Sequence, residues 1–116
     1  MVYGSYGYNG KLIVIECRKK SLQVMLAGRD AGKLKLQSQE TGYPYTVVDC
    51  ADSDGLRKLL GPAVAVIHCG GPFRHTAKAM SEACLGTQTH YTDITGEYNV
   101  FESLALLDHA AKDSGI

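Results

Sequence analysis

The sequence predicts an α/β fold: a doubly wound parallel sheet of five strands with helices on both faces. Three observations lead there. Short apolar runs alternate with stretches of helical periodicity along the whole chain, and strands separated by helices run parallel through right-handed crossovers. The clearest run, Ala63 to His68, is almost continuously apolar, as a strand covered on both faces should be. Much of the glycine gathers just after predicted strands, at Gly4–Gly10, Gly28 and Gly70–Gly71. In such a sheet ligands bind beyond the carboxyl ends of the strands, so the clustering predicts a site as well as a fold.

Each element has its own signal. Met1 to Tyr3 reads as a brief strand. Tyr8 to Lys19 reads as a helix, with Arg18, Lys19 and Lys20 at its negative pole, where cations are favoured. Gln23 to Ala27 is a buried strand, and Asp30 is placed to cap a helix over Ala31 to Gln39. Tyr45 to Val48 is the third strand. Asp52 or Ser53 caps a short helix that stops at Gly61, with Pro62 behind it. After the fourth strand, Thr76 to Leu85 reads as a helix closed by Gly86, and His90 to Thr92 as a weaker fifth strand. Val100, Phe101, Leu104, Leu107 and Ala111 form an apolar stripe at spacings of three and four. That stripe predicts one final helix from Tyr98 to Asp113, ended by Gly115. Ile116 is expected to open a sixth strand. On that reading the sheet is truncated and has an unpaired edge, which is expected to drive self-association into a homo-oligomer.

Composition narrows the function. A chain of 116 residues makes one domain. Twelve basic and twelve acidic residues cancel, which gives no electrostatic case for nucleic acid or a membrane surface as partner. No apolar run approaches the roughly 20 residues of a membrane helix. Cys17, Cys50, Cys69 and Cys84 fit no disulfide framework or CxxC pair. They read as free thiols in a reducing compartment, which predicts a cytoplasmic location.

Gly4-Ser5-Tyr6-Gly7-Tyr8-Asn9-Gly10 is a GxxGxxG turn between a strand and a helix. That context suits a dinucleotide pyrophosphate. Gly4 permits the sharp turn, Gly7 removes a side chain where phosphate approaches, and Gly10 lets the helix pack close. The helix N-terminus supplies free N–H groups. The spacing departs from GxGxxG and is more like that of NADP enzymes of the short-chain and atypical type. A P-loop is rejected, because Ser5 and Leu12 stand where it needs glycine and a hydroxyl. At the end of the second strand Gly28 makes room, and Arg29 stands where NAD-selective sites carry an acid. Arg29 therefore selects NADP through its 2′-phosphate, with NAD as the weaker ligand. Asp49-Cys50 ends the third strand, where adenine edges lie. Asp49 either accepts from adenine or simply ends the strand. Gly70, Gly71 and Pro72 end the fourth, where the bare backbone is expected to lie against ribose or nicotinamide. In Asp93-Ile94-Thr95-Gly96-Glu97, Thr95 is expected to cap the following helix. The histidines and cysteines match no metal spacing, and no metal is expected. No tyrosine is followed four residues later by lysine, and there is no GxSxG. No catalytic set is identified.

The segments GSYGYNGKLIV, LAGRD, VIHCGGPF and ACLGTQTHYTDITGE, with the final helix, resemble the NADP-binding, Rossmann-type domain of saccharopine dehydrogenase-like oxidoreductases. The family pattern looks like GAxGYTG, AGR, CxGPF and a late HYxDxTGE, and Asn9 replaces its usual threonine. The resemblance implies nucleotide contacts at Gly4, Ser5, Tyr6, Gly7, Tyr8, Gly10, Arg29, Gly70 and Pro72. It also implies a second, substrate-binding domain beyond Ile116. The expected function is thus the cofactor domain of an NADP-dependent oxidoreductase, without turnover on its own. The alternative is a non-catalytic NADP(H) sensor or interaction module.

Overall fold

Strand β1 (Val2–Tyr3) is only two residues long, yet it lies at the centre of the sheet. The computed structural model describes residues 1–116. The other strands are β2 (Leu26–Gly28), β3 (Tyr45–Val47), β4 (Ala65–His68) and β5 (His90–Asp93). All pairings are parallel, in the order β3-β2-β1-β4-β5. Val2 pairs with Leu26 and Ile67, and Tyr3 with Ala27 and His68.

The two-residue period of a strand sends Val2 and Tyr3 to opposite faces. Each face builds a core. Val2, Leu26 and Val24 pack with Val14 and Cys17 of α1 (Tyr8–Lys19) and Leu34 of α2 (Ala31–Thr41). Tyr3, Ala27, Val48 and Val66 pack with Leu56 and Leu60 of α3 (Ser53–Leu60) and with Met80, Ala83 and Cys84 of α4 (Phe73–Thr87). Helices thus cover both faces, as the alternation predicts. Asp30 caps α2 through Lys33 N–H at 3.0 Å, and Asp52 caps α3 through Gly55 N–H at 2.9 Å.

Several elements differ from the sequence-based expectation, beginning with β2, which starts at Leu26 and not at Gln23. Helix α4 starts at Phe73, three residues before Thr76, and runs through Gly86. Its C-cap is Gln88, a non-glycine residue in the left-handed region with φ 57°. The turn is held by Thr87 and Thr89, whose hydroxyls lie 2.7 Å apart, and by Thr89 Oγ1 donating to the Leu60 carbonyl at 3.0 Å. The last helix breaks into α5 (Tyr98–Ala105) and α6 (Asp108–Ser114). At the break the Leu107 N–H donates to Leu104, a tighter three-residue turn. Ile116 packs against the core, and its N–H donates to Ala111 at 2.9 Å.

The strained cap yields a prediction. Replacing Gln88 by glycine removes the left-handed penalty, offset in part by the entropy of the unfolded chain. Gln88→Gly should stabilise the fold by about 0.5–1 kcal/mol in chemical denaturation. A loss of stability would mean that the Gln88 side chain contributes more than its backbone costs.

Candidate functional site

The sheet order reverses between β1 and β4, so their carboxyl ends open one crevice. Gly4 leaves β1 with φ +74°. A Cβ there would lie 2.7 Å from the Gly70 nitrogen, so the β1 and β4 loops touch backbone to backbone. Gly10 is equally constrained, since a Cβ would run into the Gly4 carbonyl oxygen and sit 2.8 Å from Ser5. Gly7 is different. A Cβ there would meet only the Gly4 oxygen, at an ordinary 3.4 Å. Nothing inside the chain requires glycine at position 7. Gly7 and Tyr8 are exposed, and the N–H groups of Tyr8, Asn9 and Gly10 have no partner in the chain.

Ser5 and Tyr6 face inward. The buried Ser5 hydroxyl donates to Gln37 Oε1 at 2.7 Å, and Gln37 Nε2 donates to the Ser5 carbonyl at 2.8 Å. Ser5 is thus fully buried, with its hydroxyl and its backbone groups all paired inside the chain. The Tyr6 hydroxyl accepts from Asp30 N–H at 3.1 Å, and Lys33 Nζ lies 5.6 Å from the ring centroid. This corrects the expectation for Gly28: a Cβ there would lie 2.6 Å from the Tyr6 ring, so Gly28 makes room for Tyr6. Arg29 follows it, exposed and outside every ion pair of the chain. Asp49 is exposed, and its carboxylate accepts from Ala51 N–H at 2.9 Å, a turn-closing role. Cys50 is buried beside Tyr3. Burial pushes its thiol up, and Asp49 adds to this against the pull of Arg29.

On the β4 side, a Cβ at Gly70 would strike the Tyr3 ring at 2.9 Å, whereas one at Gly71 would make only ordinary contact with Phe73. Gly71 and Pro72 are exposed and joined by a cis peptide. Beneath them His68 is fully buried among the rings of Tyr3, Phe73 and Tyr91. Its Nε2 lies 2.9 Å from Thr76 Oγ1, and its Nδ1 accepts from Gly70 N–H at 3.4 Å. Thr76 Oγ1 donates in turn to the Gly70 carbonyl at 2.7 Å.

The DITGE loop straps this turn from the other side. Asp93 accepts from Tyr91 Oη at 2.6 Å and Thr95 N–H at 3.2 Å, and Thr95 Oγ1 accepts from Glu97 N–H at 3.1 Å. Glu97 then accepts from Phe73 N–H at 2.9 Å. So Thr95 does not cap α5. The loop's carboxylate caps α4, a helix otherwise without a side-chain cap.

Sequence reasoning singled out the glycine turn, Arg29 and the Gly70–Pro72 turn, which all lie at the carboxyl ends of strands. It missed Gln37, His68 with Thr76, and the reach of Glu97 to Phe73. A signal existed for two of these. Gln37 follows Leu34 by three residues on the buried stripe of α2, and His68 ends an otherwise apolar strand.

Fold and crevice define a nucleotide-binding domain of the Rossmann type. Residues 1–116 match the model of the saccharopine dehydrogenase NADP binding domain, and the chain belongs to that family, whose cofactor is NADP. It is 28% identical, over 99% of its length, to a probable mitochondrial saccharopine dehydrogenase-like oxidoreductase of Arabidopsis thaliana, covering 29% of that protein. A human saccharopine dehydrogenase-like oxidoreductase is 26% identical over the whole chain, which spans 32% of it. The chain thus spans about a third of the curated relatives it matches. The fold is shared with the Citrobacter sp. triphenylmethane reductase complexed with NADP(H): TM-score 0.78 and 15% identity over 99% of this chain and 45% of that one. One relative being named mitochondrial, family membership does not carry the cytoplasmic expectation. No helix is long and apolar enough to cross a membrane.

Two predictions follow from these contacts. Gly7→Ala should keep its stability to within about 1 kcal/mol, the scale of an N-cap change. Gly10→Ala, which forces backbone apart, should lose several times as much; equal thermal shifts in the pair would contradict the geometry. The second concerns His68, which burial holds down to about 4, against a smaller upward pull from Asp93. The unfolded chain protonates this ring near pH 6.5, so the stability it contributes is full above that pH and is lost as pH falls toward 4. The loss should approach roughly 3 kcal/mol. Denaturation of wild type against His68→Gln across that window measures it, and parallel profiles would refute it.

Proposed function

We propose that this domain holds NADP(H) with its pyrophosphate over the Gly4–Gly10 turn and its 2′-phosphate on Arg29, as the cofactor module of an oxidoreductase. The observation that carries the reading is at position 7. Its packing leaves glycine unexplained, and three unpartnered amides stand beside it at the positive end of a 12-residue helix. A bare backbone with free N–H groups suits a phosphate group.

The remaining residues fall in place around that contact. Ser5 braces the turn against Gln37, and Tyr6 braces it against the loop that carries Arg29. Tyr8 is 82% exposed at the helix entrance, free to lie along the ligand. Arg29, with no ion-pair partner, meets a 2′-phosphate bidentately, and NAD binds more weakly. Asp49 and Cys50 border the adenine, and Gly70, Gly71 and Pro72 the ribose and nicotinamide. When bound, the cofactor supplies the hydride chemistry; the chain binds and orients it. The substrate belongs to a second domain, a reading supported by the relatives' threefold greater length. Self-association is supported by exposed apolar side chains, Leu106 at 85% and Val64 at 80%. Four free thiols support a reducing, cytoplasmic setting.

Calorimetry with NADPH and NADH tests the assignment. One charge-assisted contact is worth roughly 1.5–3 kcal/mol, a preference for NADPH of roughly 10- to 100-fold. Arg29→Ala should erase most of that preference and leave NADH binding nearly unchanged. Equal wild-type affinities, or equal losses for both ligands in the variant, would reduce Arg29 to a surface cation.

A further inference from the structure

The Gly70–Pro72 turn is exposed above, but its Gly70 peptide groups are held from below at both polar ends. Gly70 N–H donates to His68 Nδ1, and the Gly70 carbonyl accepts from Thr76 Oγ1. His68 and Thr76 are themselves joined, Nε2 to Oγ1, at 2.9 Å. The three bonds close a ring that fixes every proton in it. Nδ1 must be the bare nitrogen, Nε2 must carry hydrogen and donate to Thr76, and the threonine sends its own proton to the Gly70 carbonyl at 2.7 Å, nearer than the Pro72 carbonyl at 3.3 Å. A protonated imidazole breaks the ring, because two N–H groups then face each other across Nδ1. Tyr3, Phe73 and Tyr91 pack on the imidazole, and Asp93 is the charged group that acts on it.

This arrangement does more than fill space. A core position between three aromatic rings is satisfied by an apolar side chain, and a buried polar one is costly unless fully paired. Here it is fully paired, and what it pairs with is the turn at the mouth of the crevice.

We propose that His68 and Thr76 are positioning residues that set the orientation of the Gly70 peptide for the ribose–nicotinamide half of the cofactor. The inference rests on the NADP(H) reading above. Neither side chain touches the ligand. Both act through Gly70, and so affect only the ligand half that this turn borders.

The test therefore splits the ligand. NADPH and 2′,5′-ADP, which lacks the nicotinamide half, are titrated calorimetrically into the 116-residue chain and its variants. Thr76→Val should weaken NADPH about tenfold, the scale of a lost hydrogen bond with its partner left unpaired, and leave 2′,5′-ADP unchanged. Thr76→Ser keeps the hydroxyl and should restore NADPH binding. A merely structural role would weaken both ligands alike or neither, and either result overturns the proposal. A wild type that binds 2′,5′-ADP but not NADPH overturns it too. A wild type that binds neither ligand overturns instead the cofactor reading beneath it. Should Thr76→Val not fold, nitrogen NMR of the wild-type imidazole decides. The proposal requires the Nε2–H tautomer at neutral pH with a hydrogen bond from Gly70 to Nδ1, and an Nδ1–H tautomer refutes it.

Discussion

The structure turns on one close approach, the backbone of Gly4 against the backbone of Cys69 and Gly70. A single methyl group at position 4 would sit under 3 Å from three backbone atoms of the β4 loop. Because β1 and β4 are sheet neighbours whose helices depart to opposite faces, their loops diverge just beyond that contact. The divergence is the crevice. Gly10 follows from it, since the helix must pass directly over the Gly4 carbonyl. So does Gly70, which must clear the Tyr3 ring at the end of β1. Gly7, in the same turn, owes nothing to this packing.

Much of this was legible in the sequence. Alternating apolar runs and helical stretches specify the parallel sheet, and a GxxGxxG turn in the first such junction specifies where its mouth lies. Local caps were legible for the same reason: Asp30 and Asp52 bond to amides three residues away, within reach of a short-range pattern. What escaped depends on distance. The start of α4 is capped by Glu97, 24 residues downstream, so no local signal marks Phe73 as its first residue. Its end was misread because glycine is the usual left-handed cap, while here threonines on either side hold Gln88 in that conformation. The break at Leu106–Leu107 interrupts no apolar period, since the stripe continues across it.

The proposed site was partly legible in the same sense. Arg29 stands out by what it replaces. The role of Gly28 does not, because the Tyr6 ring reaches it from the first loop, 22 positions earlier. The DITGE segment looked like a helix entrance and is a chain of side-chain bonds from Asp93 through Thr95 to Glu97, ending on the neighbouring helix. Its polar residues hold two strand-end loops together.

The Ser5–Gln37 pair has a consequence for how the ligand arrives. Two buried hydrogen bonds of 2.7 and 2.8 Å pin the middle of the glycine turn to α2, and Tyr6 pins its next residue to the start of that helix. A glycine-rich segment is the most mobile kind of chain when free, and ordering it at the moment of association would cost affinity. Here the ordering is complete when the protein folds. On the proposed assignment the turn would meet its ligand as a rigid cradle, so complex formation should be limited by encounter and not by loop closure, and the mobility that glycine confers elsewhere is absent from this turn.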